Sequence, residues 1–405
     1  MEENKKIRIG IVGTGSRGVD CFGQLLIKRD DVEIVALCDI NPVRVKAAKE
    51  HLNVAANLYN SIEEMAQKET LDAVIITTPD FLHHSLSLYA LKQNWHVLVD
   101  KPLCTKAADG AELIRAAKEC SKHLMIGFNL RHHATLKRLK KLIDDGELGK
   151  VFLAENREFY DGGRTYMARW NRFYEKSGGL WIHKGSHDFD IFNWLLDFPK
   201  PLRVTAFAAV NVLKPEGVPF ELEDGHEPGP GCNTCYYKDK CKDKWELTED
   251  NLKAWGDEAV AQDGYLKNTC IYMSEKDTHD NGIAMVEYEG GIKASHFECF
   301  IGTKNDRCYT IVGDRGVAEV SLHHNKITVM PRWNAEGNYV IEVPPEDGSH
   351  GGADPSLVDM FCRVVRGEAI PNSTAEHGLL SSSIGQAAEI SRREHRTVEI
   401  SELYK

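Results

Sequence analysis

Through the first third of the chain, short apolar runs alternate with stretches whose apolar residues fall at helical spacing. Ile7–Val12 is followed by Val19, Phe22, Leu25 and Leu26 on one helix face, and further runs occupy Val32–Cys38, 71–77, 95–99 and 124–128. Apolar runs of this length separated by helices predict a parallel, doubly wound α/β sheet with right-handed crossovers. Beyond residue 150 the character changes. Strand-like segments occur at Val151–Phe159, 202–212, 283–288, 292–300, 308–312, 316–320 and 327–331, and Gly290-Gly291 predicts a hairpin turn between two of them. The expectation is an α/β domain over 1–128, then an α+β domain over 129–349 with a large, mainly antiparallel open sheet. Helices at 354–366 and 376–393 fall in a last segment, 350–405.

Composition narrows the class without naming it. The chain has 405 residues, 42% of them hydrophobic, and a net charge of −11 with no long basic run, so nucleic acid and anionic membrane are not expected as partners. No apolar run approaches the ~20 residues of a membrane span, and the first six residues lead straight into a strand, so a cytoplasmic protein is expected. Eleven cysteines in such a chain point to reduced thiols or a metal site rather than to a disulfide framework.

The first strand runs into Gly13-Thr14-Gly15-Ser16-Arg17-Gly18, and the second ends at Asp39. In this position Gly13 allows the tight turn, Gly15 lets the backbone approach a pyrophosphate, and Gly18 lets helix and strand pack closely. Asp39 is placed to accept hydrogen bonds from both ribose hydroxyls and to repel a 2′-phosphate, which favours NAD over NADP. Arg17 and Arg44 are nearby cations that keep NADP open. The expected cofactor contacts are Gly13, Gly15, Ser16, Arg17, Gly18, Asp39, Thr78, Pro79, His83 and Lys101.

Two segments look unlike scaffold: Val99-Asp100-Lys101-Pro102-Leu103 and Gly178-Gly179-Leu180-Trp181-Ile182-His183-Lys184-Gly185-Ser186-His187-Asp188. Lys101 follows the carboxyl end of a strand, where ligands bind in doubly wound sheets; a solvated loop lysine is the plainer reading. His183 and His187 share a face if their segment is one helix, as core residues, as zinc ligands or as proton carriers.

Together the glycine turn, Asp100-Lys101-Pro102 and the later Gly-Gly…Gly185-x-His187 resemble the Gfo/Idh/MocA oxidoreductases. The resemblance covers nearly the whole chain. It implies a Rossmann domain, a second domain whose open sheet lines the active site and makes oligomer contacts, and terminal helices that return to the first domain. It also implies a tightly held nicotinamide cofactor, a sugar or polyol substrate, Lys101 as the catalytic lysine and His187 as proton acceptor. The chain departs from the family in carrying Asp100 where Glu is usual and His183 where an aspartate commonly stands. A cluster of Lys101, His183, Lys184 and His187 results, whose like charges are expected to lower one another's pKa. Such a cluster departs from the usual triad of plain alcohol dehydrogenation and suits stabilising an alkoxide or enolate, or shuttling several protons, during hydride transfer from a sugar, polyol or glycoside hydroxyl. It also suits redox-neutral glycoside cleavage by transient oxidation and elimination, with His183, Tyr160, Asp161 or Tyr166 as the extra acid/base. A non-catalytic NAD-binding regulator is the third reading.

Expected substrate contacts are Asn129, Tyr160, Arg164, Trp170 and Arg172, from a strand end and a Gly-rich aromatic loop. His350 either reaches the site or marks a turn leading into a helix. Finally, Cys232-x-x-Cys235, Cys241 and Cys270 lie in a polar insert over about 215–270. Four thiolates there could hold a structural zinc, or could be reduced thiols or a redox pair.

Overall fold

The computed structural model describes residues 5–302, 304–348 and 350–404; Met1–Asn4, within the first six residues on which the cytoplasmic expectation rests, lie outside it. The first sheet contains β1 (Ile7–Val12), β2 (Val32–Cys38), β3 (Asn57–Tyr59), β4 (Ala73–Ile76), β5 (His96–Val99) and β6 (Leu124–Ile126), in the order β3-β2-β1-β4-β5-β6, all parallel. β4 and β5 are buried along their whole length because helices cover both faces, and this is why they read as unbroken apolar runs. One face is sealed partly by the helix Ala353–Val365, whose Leu357, Val358 and Phe361 join the core under β1 and β2.

The second sheet has nine strands: β7 (Val151–Phe159), β8 (Pro201–Ala209), β9 (Asn281–Tyr288), β10 (Lys293–Cys299), β11 (Asp306–Gly313), β12 (Gly316–Ser321), β13 (Lys326–Pro331), β14 (Tyr339–Glu342) and β15 (Val398–Glu399). Their order is β14-β13-β12-β11-β7-β10-β9-β8-β15, antiparallel except for β7 beside β10. The expected glycine turn joins β9 to β10, with Gly290 and Gly291 at φ 72° and 76°. Helices Ser186–Leu195 and Ala375–Glu394 pack on one face. The other face exposes Phe159, Phe207, Ile283 and Met285.

Three expectations change. The strand expected to run to residue 212 stops at Ala209, because the backbone N–H groups of Asn211, Val212 and Leu213 all turn to donate to the Asp280 carboxylate. The segment 183–187 is two helices, Leu180–His183 and Ser186–Leu195, broken at Lys184-Gly185, so the two histidines do not sit on one continuous face. β3, β14 and β15 are short additional strands at or near sheet edges.

Candidate active site

The glycine turn has the anatomy its spacing suggests. A Cβ on Gly13 would lie 2.7 Å from the Thr78 nitrogen, and one on Gly18 only 2.2 Å from the Gly13 carbonyl oxygen; Gly15 faces open space, as a backbone that must approach a phosphate should. Asp39 braces this turn. Its Oδ2 accepts from the Thr14 N–H and hydroxyl at 2.9 and 3.0 Å, and Oδ1 accepts from the Asn41 N–H at 3.0 Å. Neither nearby arginine is free: Arg17 is ion-paired with Asp100 (3.0 Å) and Asp354 (3.3 Å), and Arg44 with Asp263 (2.5 Å). His83 faces the carbonyl oxygens of Pro102 (2.7 Å) and Thr78 (2.9 Å), so it ties the two loops that flank the cofactor cleft.

A cavity of about 320 Å³ opens on this turn, and Lys101, His183, Lys184 and His187 all line it. Lys101 follows β5, and its Nζ donates to the His183 carbonyl oxygen at 2.6 Å. Burial draws its ammonium down to about 8, against the opposing pull of Asp80 and Asp100. The His183 ring is held from both sides: Nδ1 lies 2.7 Å from Asp80 Oδ2, and Nε2 lies 2.8 Å from Asn171 Nδ2. Burial, with Lys101 and Lys184 nearby, keeps His183 neutral, so Nδ1 donates to Asp80 while Nε2 accepts from Asn171. The Asp80 carboxyl is itself raised to about 7 by burial. The ring of His187 differs in having a buried Nδ1 with no hydrogen-bond partner among the described residues. Burial together with Lys101, Arg307 and Lys184 holds His187 well below the ordinary histidine range. It is a neutral ring in the cavity wall.

Lys184 breaks the expected pattern of mutually lowered cations. Burial pulls its ammonium down, but Glu158, at 2.9 Å, outweighs this and holds it above the lysine range. Glu158 also pairs with Arg307 at 2.6 Å, and Arg307 with Asp188 at 2.8 Å. Glu158, Asp188 and His296 bring three potential metal donors within 4.8 Å of one another. Arg307 and Lys184 already neutralise the two carboxylates, so this cluster is an ion-pair network that anchors the helix bearing His187.

Two family models match this architecture: an oxidoreductase-family NAD-binding Rossmann fold over residues 7–128 and an oxidoreductase-family C-terminal α/β domain over 140–400. The chain belongs to the Gfo/Idh/MocA oxidoreductase family. It is 28% identical to YteT of Bacillus subtilis over 425 aligned positions, 97% of each chain. It is 31% identical to an inositol 2-dehydrogenase of Salmonella typhimurium over 192 positions, which cover 47% of this chain and 55% of that enzyme. Among solved structures, the WlbA dehydrogenase of Bordetella pertussis, in complex with NADH and UDP-GlcNAcA, superposes with a TM-score of 0.71 at 21% identity over 98% of both chains; this likeness shows the fold.

Against the Gfo/Idh/MocA pattern, the departure at His183 has a structural counterpart. Asp80, 103 residues away in sequence, supplies beside His183 a carboxylate that the local motif lacks. Asp80 and Asn171, which hold the His183 ring, and Arg169, Trp255 and Lys267 in the cavity wall are site residues that sequence spacing did not reveal; Asp80 follows directly on Thr77-Thr78-Pro79 at the carboxyl end of β4, the one signal that could have marked it.

Of the expected substrate contacts, Asn129, Tyr160 and Trp170 line the cavity, as do Tyr166 and His350. Arg164 and Arg172 do not. Arg164 is drawn outward by Asp161 (3.4 Å) and Asp243 (3.8 Å), and Arg172 donates to the carbonyl oxygens of Glu275, Ala168 and Arg169. Asp161 is exposed in that outward pair, which removes it from the acid/base candidates. The four insert thiols are free and line a separate cavity of about 20 Å³.

Proposed function

We propose that the protein is an NAD-dependent oxidoreductase acting on a hydroxyl of a sugar, polyol or glycoside. The observation that carries this reading is the meeting of Lys101 and His187 in one cavity that opens on the glycine turn. The residues present fit the dinucleotide: Gly15 leaves its side of the turn open, and Arg17 and Arg44 are consumed by carboxylates rather than offered to a 2′-phosphate. Gly13, Gly15, Ser16 and Gly18 would hold the diphosphate and Asp39 the ribose, with Thr78, Pro79 and His83 framing the cleft. When bound, nicotinamide supplies the hydride acceptor. His187, neutral and with an unpartnered nitrogen, takes the hydroxyl proton, while the Lys101 ammonium donates to the same oxygen and stabilises its developing charge. Asn129, Tyr160 and Trp170 are the substrate contacts. The test is to release and identify the bound nucleotide, then to screen sugars, polyols and aryl glycosides for NADH formation. Retained NAD with no turnover of any of these compounds would instead mark a non-catalytic NAD-binding regulator.

A second reading, redox-neutral glycoside cleavage, is favoured by further titratable groups in the cavity wall. There Lys184 sits 4.6 Å over the Tyr160 ring, beside Tyr166. Transient oxidation would acidify a neighbouring C–H, and these groups would move that proton and protonate the leaving aglycone. Aryl glycoside cleavage in deuterated water with deuterium incorporated at carbon is the expected result; net NADH accumulation without cleavage rules it out.

Cys232, Cys235, Cys241 and Cys270 line one small cavity, which supports a structural zinc; no three of their sulfurs lie within 4.8 Å of one another, so the thiolates would have to draw in to tetrahedral spacing around it. One zinc per chain is expected by elemental analysis, lost in Cys235→Ser together with a lower unfolding temperature; a parent protein free of zinc ends the idea. The row of exposed Phe207, exposed Ile283 and half-buried Phe297, paired across β8, β9 and β10, supports a homo-oligomer in which a second copy covers the open sheet. Phe207→Glu is expected to shift the protein to monomer in light scattering; a parent that is already monomeric excludes this. Among the described residues no helix is long and apolar enough to cross a membrane.

A further inference from the structure

The cysteine-rich insert does not stay with the domain that carries it. Its helices Glu249–Trp255 and Asp257–Asp263 pack on the first domain's helix Pro42–Leu52. Asn41 donates to the Ala259 carbonyl oxygen at 2.9 Å, Arg44 pairs with Asp263, and the Arg44 guanidinium stacks 4.6 Å from the Trp255 ring. The insert therefore bridges the cofactor cleft. On either side of the bridge lie the active-site cavity and a second cavity of about 520 Å³; Gly15, Ser16, Arg169, Trp255 and Lys267 line both.

That shared wall holds two cations without counter-charge. Lys267 is only 6% exposed, its Nζ lies 3.3 Å from Ser16 Oγ and 3.9 Å from the Trp255 ring centre, and it makes no ion pair among the described residues. Asp20, the acid that favours its charge, is exposed and faces His51 at 3.7 Å. Arg169 likewise has no ion pair there; its Nε is buried with no hydrogen-bond partner, and its guanidinium lies 4.9 Å over Trp245. Burial, then Arg169 and Arg44, pull Lys267 down to about 7, against Asp20. A buried cation lacking a partner is costly, and two of them beside the open face of Gly15 form a seat for an anion with several oxygens.

We propose that the insert is a clamp on the bound dinucleotide, in which Lys267 and Arg169 bind the diphosphate beside the open face of Gly15. The clamp rests on the NAD reading above and adds a retention device to it: the cofactor leaves only when the insert lifts from the helix Pro42–Leu52. The same diphosphate chemistry could come from a sugar nucleotide instead, so the test carries both probes.

Binding of NAD and of uridine diphosphate to the full-length protein is measured by calorimetry, and NAD release by stopped-flow fluorescence, for the parent, Lys267→Met and Lys267→Arg. Losing one charge-assisted contact is expected to weaken NAD binding about 10- to 100-fold, mostly through faster release, with Lys267→Arg retaining much of the affinity. Circular dichroism and an unchanged melting temperature establish that the variants are folded; should Lys267→Met not fold, Trp255→Ala replaces it, with faster NAD release expected and unchanged release overturning the clamp. A parent that binds NAD, with Lys267→Met binding and releasing it identically, overturns the clamp alone. A Lys267→Met that keeps NAD but loses uridine diphosphate also overturns it, by assigning the seat to substrate. A parent that binds no NAD overturns the functional reading together with the clamp.

Discussion

Arg131→Met is expected to destabilise the protein by about 3–5 kcal/mol, the usual consequence of removing one partner of a buried ion pair. Arg131 donates from Nε and Nη2 to the two carboxylate oxygens of Asp190 at 2.7 and 2.6 Å, and both side chains are almost fully buried. It also donates to the Asn372 carbonyl oxygen and lies over the rings of Phe198 and Phe128. The pair thus joins the turn after β6 to the helix Ser186–Leu195 that carries His187. Even with the guanidinium in place, burial lifts the Asp190 carboxyl above the usual range. Methionine keeps much of the volume but removes the charge, so the carboxyl must take up a proton to stay buried. A carboxyl raised in the folded state binds its proton more tightly there than in the unfolded chain, so the stability it contributes falls as pH rises above the unfolded value of about 3.9. The deficit of Arg131→Met should therefore be larger at pH 8 than at pH 5 in denaturant unfolding, and Asp190→Leu added to it should recover most of the loss. A deficit below about 1 kcal/mol at both pH values would contradict the central role given to this pair.

The first domain was legible because parallel strands covered on both faces leave unbroken apolar runs, and β1 and β2 match their runs in full. The strands left unread have the opposite character. β3 is three residues long with Asn57 and Leu58 exposed, β14 is mostly exposed, and β15 is a two-residue pairing, so none buries enough apolar surface to leave a pattern. At the site, residues on one motif could be read together. Contacts between distant segments could not. His183 looked like a lost carboxylate because its aspartate arrives from the end of β4, and Lys184 looked like one of four competing cations because Glu158 arrives from β7. Arg164 and Arg172 failed as substrate contacts for a related reason: an arginine beside an aromatic residue suits a sugar, but nearby carboxylates and carbonyl oxygens claim it first.

The largest effect on turnover is expected at Lys101 and His187. Lys101→Met should lower kcat on the sugar or glycoside found by screening by about 10³-fold, and His187→Asn by a factor on the order of 10²–10⁴, with NAD affinity little changed in either. The two residues predict different pH behaviour. His187 is held neutral by burial and by Lys101, Arg307 and Lys184, so its competence as a base does not change from pH 6 upward. Lys101 titrates at about 8, lowered chiefly by burial, and its ammonium is the form that donates to the substrate oxygen. A lowered lysine is charged below its pKa and loses the proton above it, so kcat should hold steady at neutral pH and fall as pH rises through about 8. In Lys101→Arg that alkaline limb should vanish, because a guanidinium stays protonated throughout the range; residual activity will be lower, since arginine cannot reproduce the hydrogen bond to the His183 carbonyl in the same space. Single-turnover rates measured from pH 6 to 10 on the parent and on Lys101→Arg decide the matter. If the fall near pH 8 persists unchanged in Lys101→Arg, the titrating group is another one, and Lys101 does not act through its charge.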